Sequence, residues 1–159
     1  MGSRWARRRA AGRVLGTLLA AAVASPAAAQ QVIELGVTGI VTASDPALAV
    51  GGGYAAVRTS RRTRLSATLG AGASDGRAAW RGEVLAHFLL NPTRRRGPGV
   101  YGAGGVAAVG GPVDQGYLVL TLGLEARPGA RSGWFVEAGV GGGARLAAGF
   151  RWRRWPAGS

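Results

Sequence analysis

The chain has no cysteine, a single methionine and a single histidine, His87, in 159 residues. Without cysteine, neither a disulfide framework nor a thiolate metal site can form. Acid groups are also scarce: 7 Asp+Glu stand against 20 Lys+Arg, a formal net charge of +13. All of the basic residues are arginine. Long apolar runs are missing as well. After residue 29 no stretch reaches the roughly 18 consecutive apolar residues that a membrane-spanning helix needs. A membrane span in this part of the chain would therefore have to be a closed barrel, because hydrocarbon cannot satisfy an open sheet edge.

Residues 1–29 have the order of an export signal. Arg4, Arg7, Arg8, Arg9 and Arg13 form a basic start, residues 14–24 a short apolar core, and Ser25-Pro26 a helix break. Ala27-Ala28-Ala29 then offers an A-x-A cleavage site, so Gln30 is the expected first mature residue and residues 30–159 a single domain. Five of the 20 arginines leave with the signal, so 15 arginines face 7 acids in the remainder, a net +8. An exported basic chain has little occasion to meet nucleic acid. Outer-membrane lipid, anionic glycolipid or cell-wall polymer are the expected partners, with no cofactor.

Residues 79–90 carry the plainest pattern. Trp80, Gly82, Val84, Ala86, Phe88 and Leu90 alternate with Arg81, Glu83, Leu85, His87 and Leu89. Period-two alternation marks a strand, because successive strand side chains point to opposite faces. The same reading cuts the chain at its turn signals into strands at 31–43, 47–58, 64–73, 79–90, 100–109, 117–126, 134–140 and 145–155. Asp75-Gly76 is a type I′ hairpin pair. It sets Ser74 opposite Arg77, and hence Thr68 opposite Glu83, Gly70 opposite Arg81 and Arg64 opposite His87. The turn and both alternations agree on which face is which, and a one-residue slip would destroy the match.

The export signal, the eight alternating strands and a last strand rich in Phe150, Trp152 and Trp155 together resemble the small bacterial outer-membrane barrels of the OmpA/OmpX type. The resemblance implies an all-β, eight-stranded antiparallel up-and-down transmembrane barrel with both termini on the periplasmic side. It departs from that pattern in continuing through residues 156–159 beyond Trp155, and in its short outer loops. The rival architecture is a soluble periplasmic barrel with its apolar face turned inward around a small apolar ligand. The second face, mostly Gly, Ala, Thr and Ser with scattered charges, suits a crowded lumen better than a water-facing surface and argues for the membrane barrel. So do Trp80, Phe88, Tyr101, Tyr117, Trp134, Trp152 and Trp155 near strand ends, expected as interfacial girdles.

With that polarity Arg64, Arg81, Glu83, Glu125, Glu137 and Arg151 point into a narrow lumen as an ion network, with Arg127 and Arg153 near it. Glu125 and Glu137 are expected to come close across strands six and seven. Arg151 is expected opposite Glu137 or one diagonal step away. His87 is the one candidate for a lipid-modifying enzyme, with Ser66 diagonal to it on the same face. Arg64 opposite His87 favours a packed lumenal histidine instead. The basic turns carry Arg61, Arg62, Arg94, Arg95, Arg96 and Arg131, with Arg154 at the same end, while Asp45, Asp75 and Asp114 fall at the other. Mass or Edman analysis of protein recovered from membranes is expected to give Gln30 as the N-terminus; an intact residue 1 in the inner membrane would refute the export reading.

Overall fold

The computed structural model describes residues 32–112 and 114–155. Residues 1–31, which include the expected export signal, and residues 156–159 lie outside the described residues. Eight strands follow one another: β1 Ile33–Ala43, β2 Leu48–Arg58, β3 Thr63–Ser74, β4 Arg77–Leu89, β5 Pro98–Gly110, β6 Gln115–Ala126, β7 Ser132–Val140 and β8 Ala144–Arg154. Each pairs antiparallel with the next, and β1 pairs with β8 to close the barrel. The seam runs without interruption from Ile33↔Arg154 to Ala43↔Ala144. No helix among the described residues is long and apolar enough to cross a membrane.

The eight-stranded up-and-down architecture read from the sequence is the one observed. Strand ends move by at most two residues, chiefly because the ladders run further toward the turns than the apolar alternation does. The β3–β4 hairpin keeps the register that its turn dictates: Ser74↔Arg77, Thr68↔Glu83, Gly70↔Arg81 and Arg64↔His87. Asp75 and Gly76 have φ of 51° and 68°. Both are in the left-handed region that a type I′ turn requires.

The polarity of the barrel is inverted relative to a water-soluble protein. Leucines and valines cover the outside, with Leu118 80 % and Leu122 72 % exposed, while the charged side chains are inside. This excludes the soluble barrel with an apolar interior. Trp134, Trp152 and Phe88 project outward near one rim and Trp80 near the other. Tyr101 is a correction. It is wholly buried in the lumen and contributes nothing to a girdle. The alternation of β5 is too rich in Gly and Ala to show which face is which.

Two glycines make room for the lumenal aromatics. A Cβ on Gly123 would run into the ring of Tyr101, and one on Gly149 would meet Phe135 at 2.6 Å. Eight strands leave an interior that side chains fill, so a large ring on one strand needs a bare backbone across from it. Gly149→Ala is expected to cost ~1–3 kcal/mol of stability by overpacking. Gly53→Ala should be near neutral, since a Cβ there meets nothing within 4 Å. Urea unfolding of refolded protein in lipid vesicles compares the two, and equal effects would contradict this account of the lumen.

Candidate functional site

Alternation on β1, β2, β3, β4, β6, β7 and β8 sends Glu34, Arg58, Arg64, Arg81, Glu83, His87, Glu125, Glu137, Arg145, Arg151 and Arg153 into the barrel, all buried. Those four glutamates are all the glutamates in the sequence. Burying a charge is costly unless it is paired and hydrogen-bonded, and here each arginine and glutamate has an ion-pair partner within the lumen.

The ion pairs form two clusters. Toward the termini, Glu34 lies 2.8 Å from Arg58 and 3.3 Å from Arg64, with Arg151 at 3.4 Å and Arg153 at 3.5 Å. Glu125 joins the same group at 3.0 Å from Arg64, 3.1 Å from Arg151 and 3.0 Å from Arg153. Arg58 also donates to the carbonyls of Pro92 and Pro128, and Arg153 to those of Arg127 and Ala130. These bonds tie the turns across that mouth of the barrel. Toward the other mouth, Glu83 binds Arg81 at 2.6 Å and Arg145 at 2.7 Å, and Arg145 reaches Glu137 at 2.9 Å. The Tyr101 hydroxyl joins the clusters, donating to Glu137 at 2.9 Å and accepting from Arg151 at 3.3 Å.

The first cluster has four arginines for two glutamates, and aromatic rings face the surplus charge. The Arg151 guanidinium lies 3.9 Å from the centroid of Phe135 and 4.8 Å from that of Tyr54, and Arg64 lies 4.9 Å from that of Tyr101. The negative faces of the rings attract a cation, most strongly where water is absent.

Several sequence expectations need correcting. Glu137 pairs in register with Ala147, and Arg151 with Gly133, so Arg151 lies two diagonal steps from Glu137. The β7–β8 turn, with three free residues at Gly141 to Gly143, sets Val140 opposite Ala144 and fixes that register. Arg145 is the partner instead. Glu125 and Glu137 sit opposite Phe135 and Gly123 respectively and belong to different clusters. Arg127 is exposed and offers only its carbonyl. Glu34, Arg58 and Arg145 are the members that the network as read from sequence lacked. Strand alternation had put Glu34 and Arg145 on the inner face, but nothing in it pointed to their partners.

His87 and Ser66 do meet, Nε2 to Oγ, at 2.7 Å. Behind the ring, Arg64 Nη2 is 3.2 Å from Nδ1. A guanidinium can only donate, so Nδ1 accepts and the proton of the neutral ring sits on Nε2. Nε2 then donates to Ser66 and has no lone pair to take the serine proton. A nucleophilic pair needs the opposite tautomer, held by a carboxylate where Arg64 stands. The void beside these residues measures about 10 Å³, bordered by Thr38, Tyr54, Ser66 and Glu137. That is the volume of about one water molecule, not of a lipid.

Outside the lumen, Arg61, Arg62, Arg94, Arg95, Arg96, Arg131 and Arg154 are all exposed at the terminal end. The opposite mouth holds a cleft of about 440 Å³, lined by Asp45, Tyr117 and Gln115 and floored by Arg81.

No family model matches the chain, and no curated protein does. Among solved structures it is similar to the N-terminal β-barrel domain of OprF from Pseudomonas aeruginosa, with a TM-score of 0.56. The two share a fold. The alignment covers 75% of this chain and 97% of that one at 14% identity. The OprF barrel is thus a likeness of architecture, an OmpA-type eight-stranded barrel. The charges inside this lumen are argued from its own residues.

Removing one member of a buried ion pair typically costs ~3–5 kcal/mol, whereas replacing both by apolar groups can be nearly neutral. Glu137→Gln and Arg145→Met are each expected to lower the unfolding free energy in vesicles substantially, and the double change to recover part of the loss. Arg94→Ala, in a solvated turn, should change it little. Simple additivity of the two lumenal changes would refute the pairing.

Proposed function

We propose that this chain is a bacterial outer-membrane β-barrel protein, exported by residues 1–29, with a structural or surface-interaction role and a filled, non-catalytic lumen. The observation that carries the reading is the inverted polarity: a leucine- and valine-covered exterior around an interior of paired arginines and glutamates. Such a barrel is stable where lipid surrounds it, and would expose a wholly apolar belt to water anywhere else. The OprF-like architecture supports the same placement.

A lipid-modifying enzyme centred on His87 is the competing reading, motivated by the Ser66 contact. It is disfavoured by the tautomer that Arg64 imposes and by a void too small for an acyl chain. The exposed arginine-rich end is the more plausible working surface, since it is available to a partner and the lumen is not.

Cell fractionation is expected to place the protein in the outer membrane, where it should run as a compact band that shifts on boiling. Planar bilayers containing pure protein are expected to show no stable porin-sized conductance, because ion pairs and aromatic rings occupy the lumen. Recovery in the soluble periplasmic fraction, or a persistent large conductance, would overturn the reading.

A further inference from the structure

Among the described residues, the connecting turns at the terminal end offer their arginines no counter-charge. The connecting turns there, at 59–62, 90–97 and 127–131, contain no Asp or Glu. Every glutamate is committed inside the lumen, and the aspartates sit at the other mouth. Among the described residues, none of Arg61, Arg62, Arg94, Arg95, Arg96, Arg131 and Arg154 takes part in an ion pair. A cluster of like charges this dense repels itself unless an anion comes from outside.

The charge is not spread evenly. Between the β2–β3 and β4–β5 turns lies a groove of about 540 Å³, walled by Arg61 and Arg62 on one side and by Asn91 and Arg94 on the other. The Arg94 guanidinium is held there by a 3.2 Å bond from Nη1 to the carbonyl of Pro98. The groove also has an apolar wall. Leu90 lines it and is 53% exposed. The Leu89 N–H bonds the Arg62 carbonyl at 2.7 Å and the Leu90 N–H bonds that of Val100 at 3.0 Å, so strand geometry continues past the end of β4. Leu90 therefore belongs to the same outward series as Val84 and Phe88, which is the lipid-facing one.

We propose that this groove binds the headgroup of an anionic phospholipid, its phosphodiester between Arg61, Arg62 and Arg94 and its acyl chains against Leu90 and Phe88. The inference rests on the membrane reading above. Guanidinium forks match phosphate oxygens two at a time, and each basic side chain near a bilayer surface adds attraction for anionic lipid. A soluble anionic polymer would satisfy the arginines but has no use for Leu90 and Phe88. The combination of charge above and apolar surface below fits an amphiphile.

The test uses the refolded barrel in nanodiscs of equimolar phosphatidylglycerol and phosphatidylcholine, with native mass spectrometry of the lipids that stay bound after release. The wild type is expected to retain phosphatidylglycerol about tenfold over its share of the bilayer. R61Q/R94Q, which takes one arginine from each wall, should fall to the bulk ratio. R131Q/R154Q removes the same charge near β7 and β8, across the ring from the groove, and should keep the enrichment. Either single change, R61Q or R94Q, is expected to lose a substantial part of it, so the outcome does not depend on the double variant folding. Equal loss in R131Q/R154Q would show a diffuse field instead of a site. Displacement of the lipid by inorganic phosphate would make a free anion the ligand. A barrel that inserts, shifts on boiling and shows no enrichment would overturn the groove alone. A barrel that fails to insert would overturn the membrane reading and the groove with it.

Discussion

A sheet wrapped in hydrocarbon has to pair every backbone N–H and C=O within itself, because no water is at hand to take up those left over. In this molecule that requirement is met along the β1–β8 seam, where Ile33 to Ala43 run against Arg154 to Ala144. Closing the ring with eight strands fixes the width of the lumen. It also fixes what can fill it, namely side chains with no passage between them. The large rings of Tyr101 and Phe135 fit only because bare backbone at Gly123 and Gly149 yields space across from them.

The lumen is full, and most of what fills it is charged. That choice follows from the outside of the wall. The outward positions are given to Leu, Val and Trp, so the residues between them are free to be polar, and they pair in the interior. Arginine suits this role better than lysine would. Its planar fork lets Arg145 hold Glu83 and Glu137 together, and lets Arg151 stack over Phe135 while reaching Glu34 and Glu125. The absence of lysine from the sequence is in keeping with such an interior.

How much of this is legible in the chain itself differs by level. The strand count and the β3–β4 register follow from alternation and from Asp75-Gly76, because turn geometry and periodicity are local and reinforce one another. The face on which Glu137 lies is equally local. Its partner is not. The turn at Gly141 to Gly143 sets Ala147 opposite Glu137, and the ion pair forms one diagonal step away, with Arg145, which alternation along a single strand does not show. Tyr101 was misplaced for a related reason: in a strand made of Gly, Ala and Val, the polarity contrast that marks a face is missing. Contacts across the lumen, such as Arg64 on β3 with Glu125 on β6, depend on the curvature of the whole sheet and leave no trace in any window of sequence.

Glu34 shows what such distant pairing entails for the assembly of the barrel. Its partners lie 24, 30 and 117 residues along the chain, on β2, β3 and β8. A hairpin of β1 and β2 offers it one arginine, and three strands offer two. The full set of arginines around Glu34 is therefore assembled only when the last strand arrives beside the first. A misregistered sheet leaves Arg151 and Arg153 on its concave side without the carboxylates that hold them in the closed ring, and burying an unpaired charge is costly. The side chains that occupy the finished lumen thus bear on register as well as on packing, because their shared ion pairs exist only in the ring that brings β1, β3, β6 and β8 together.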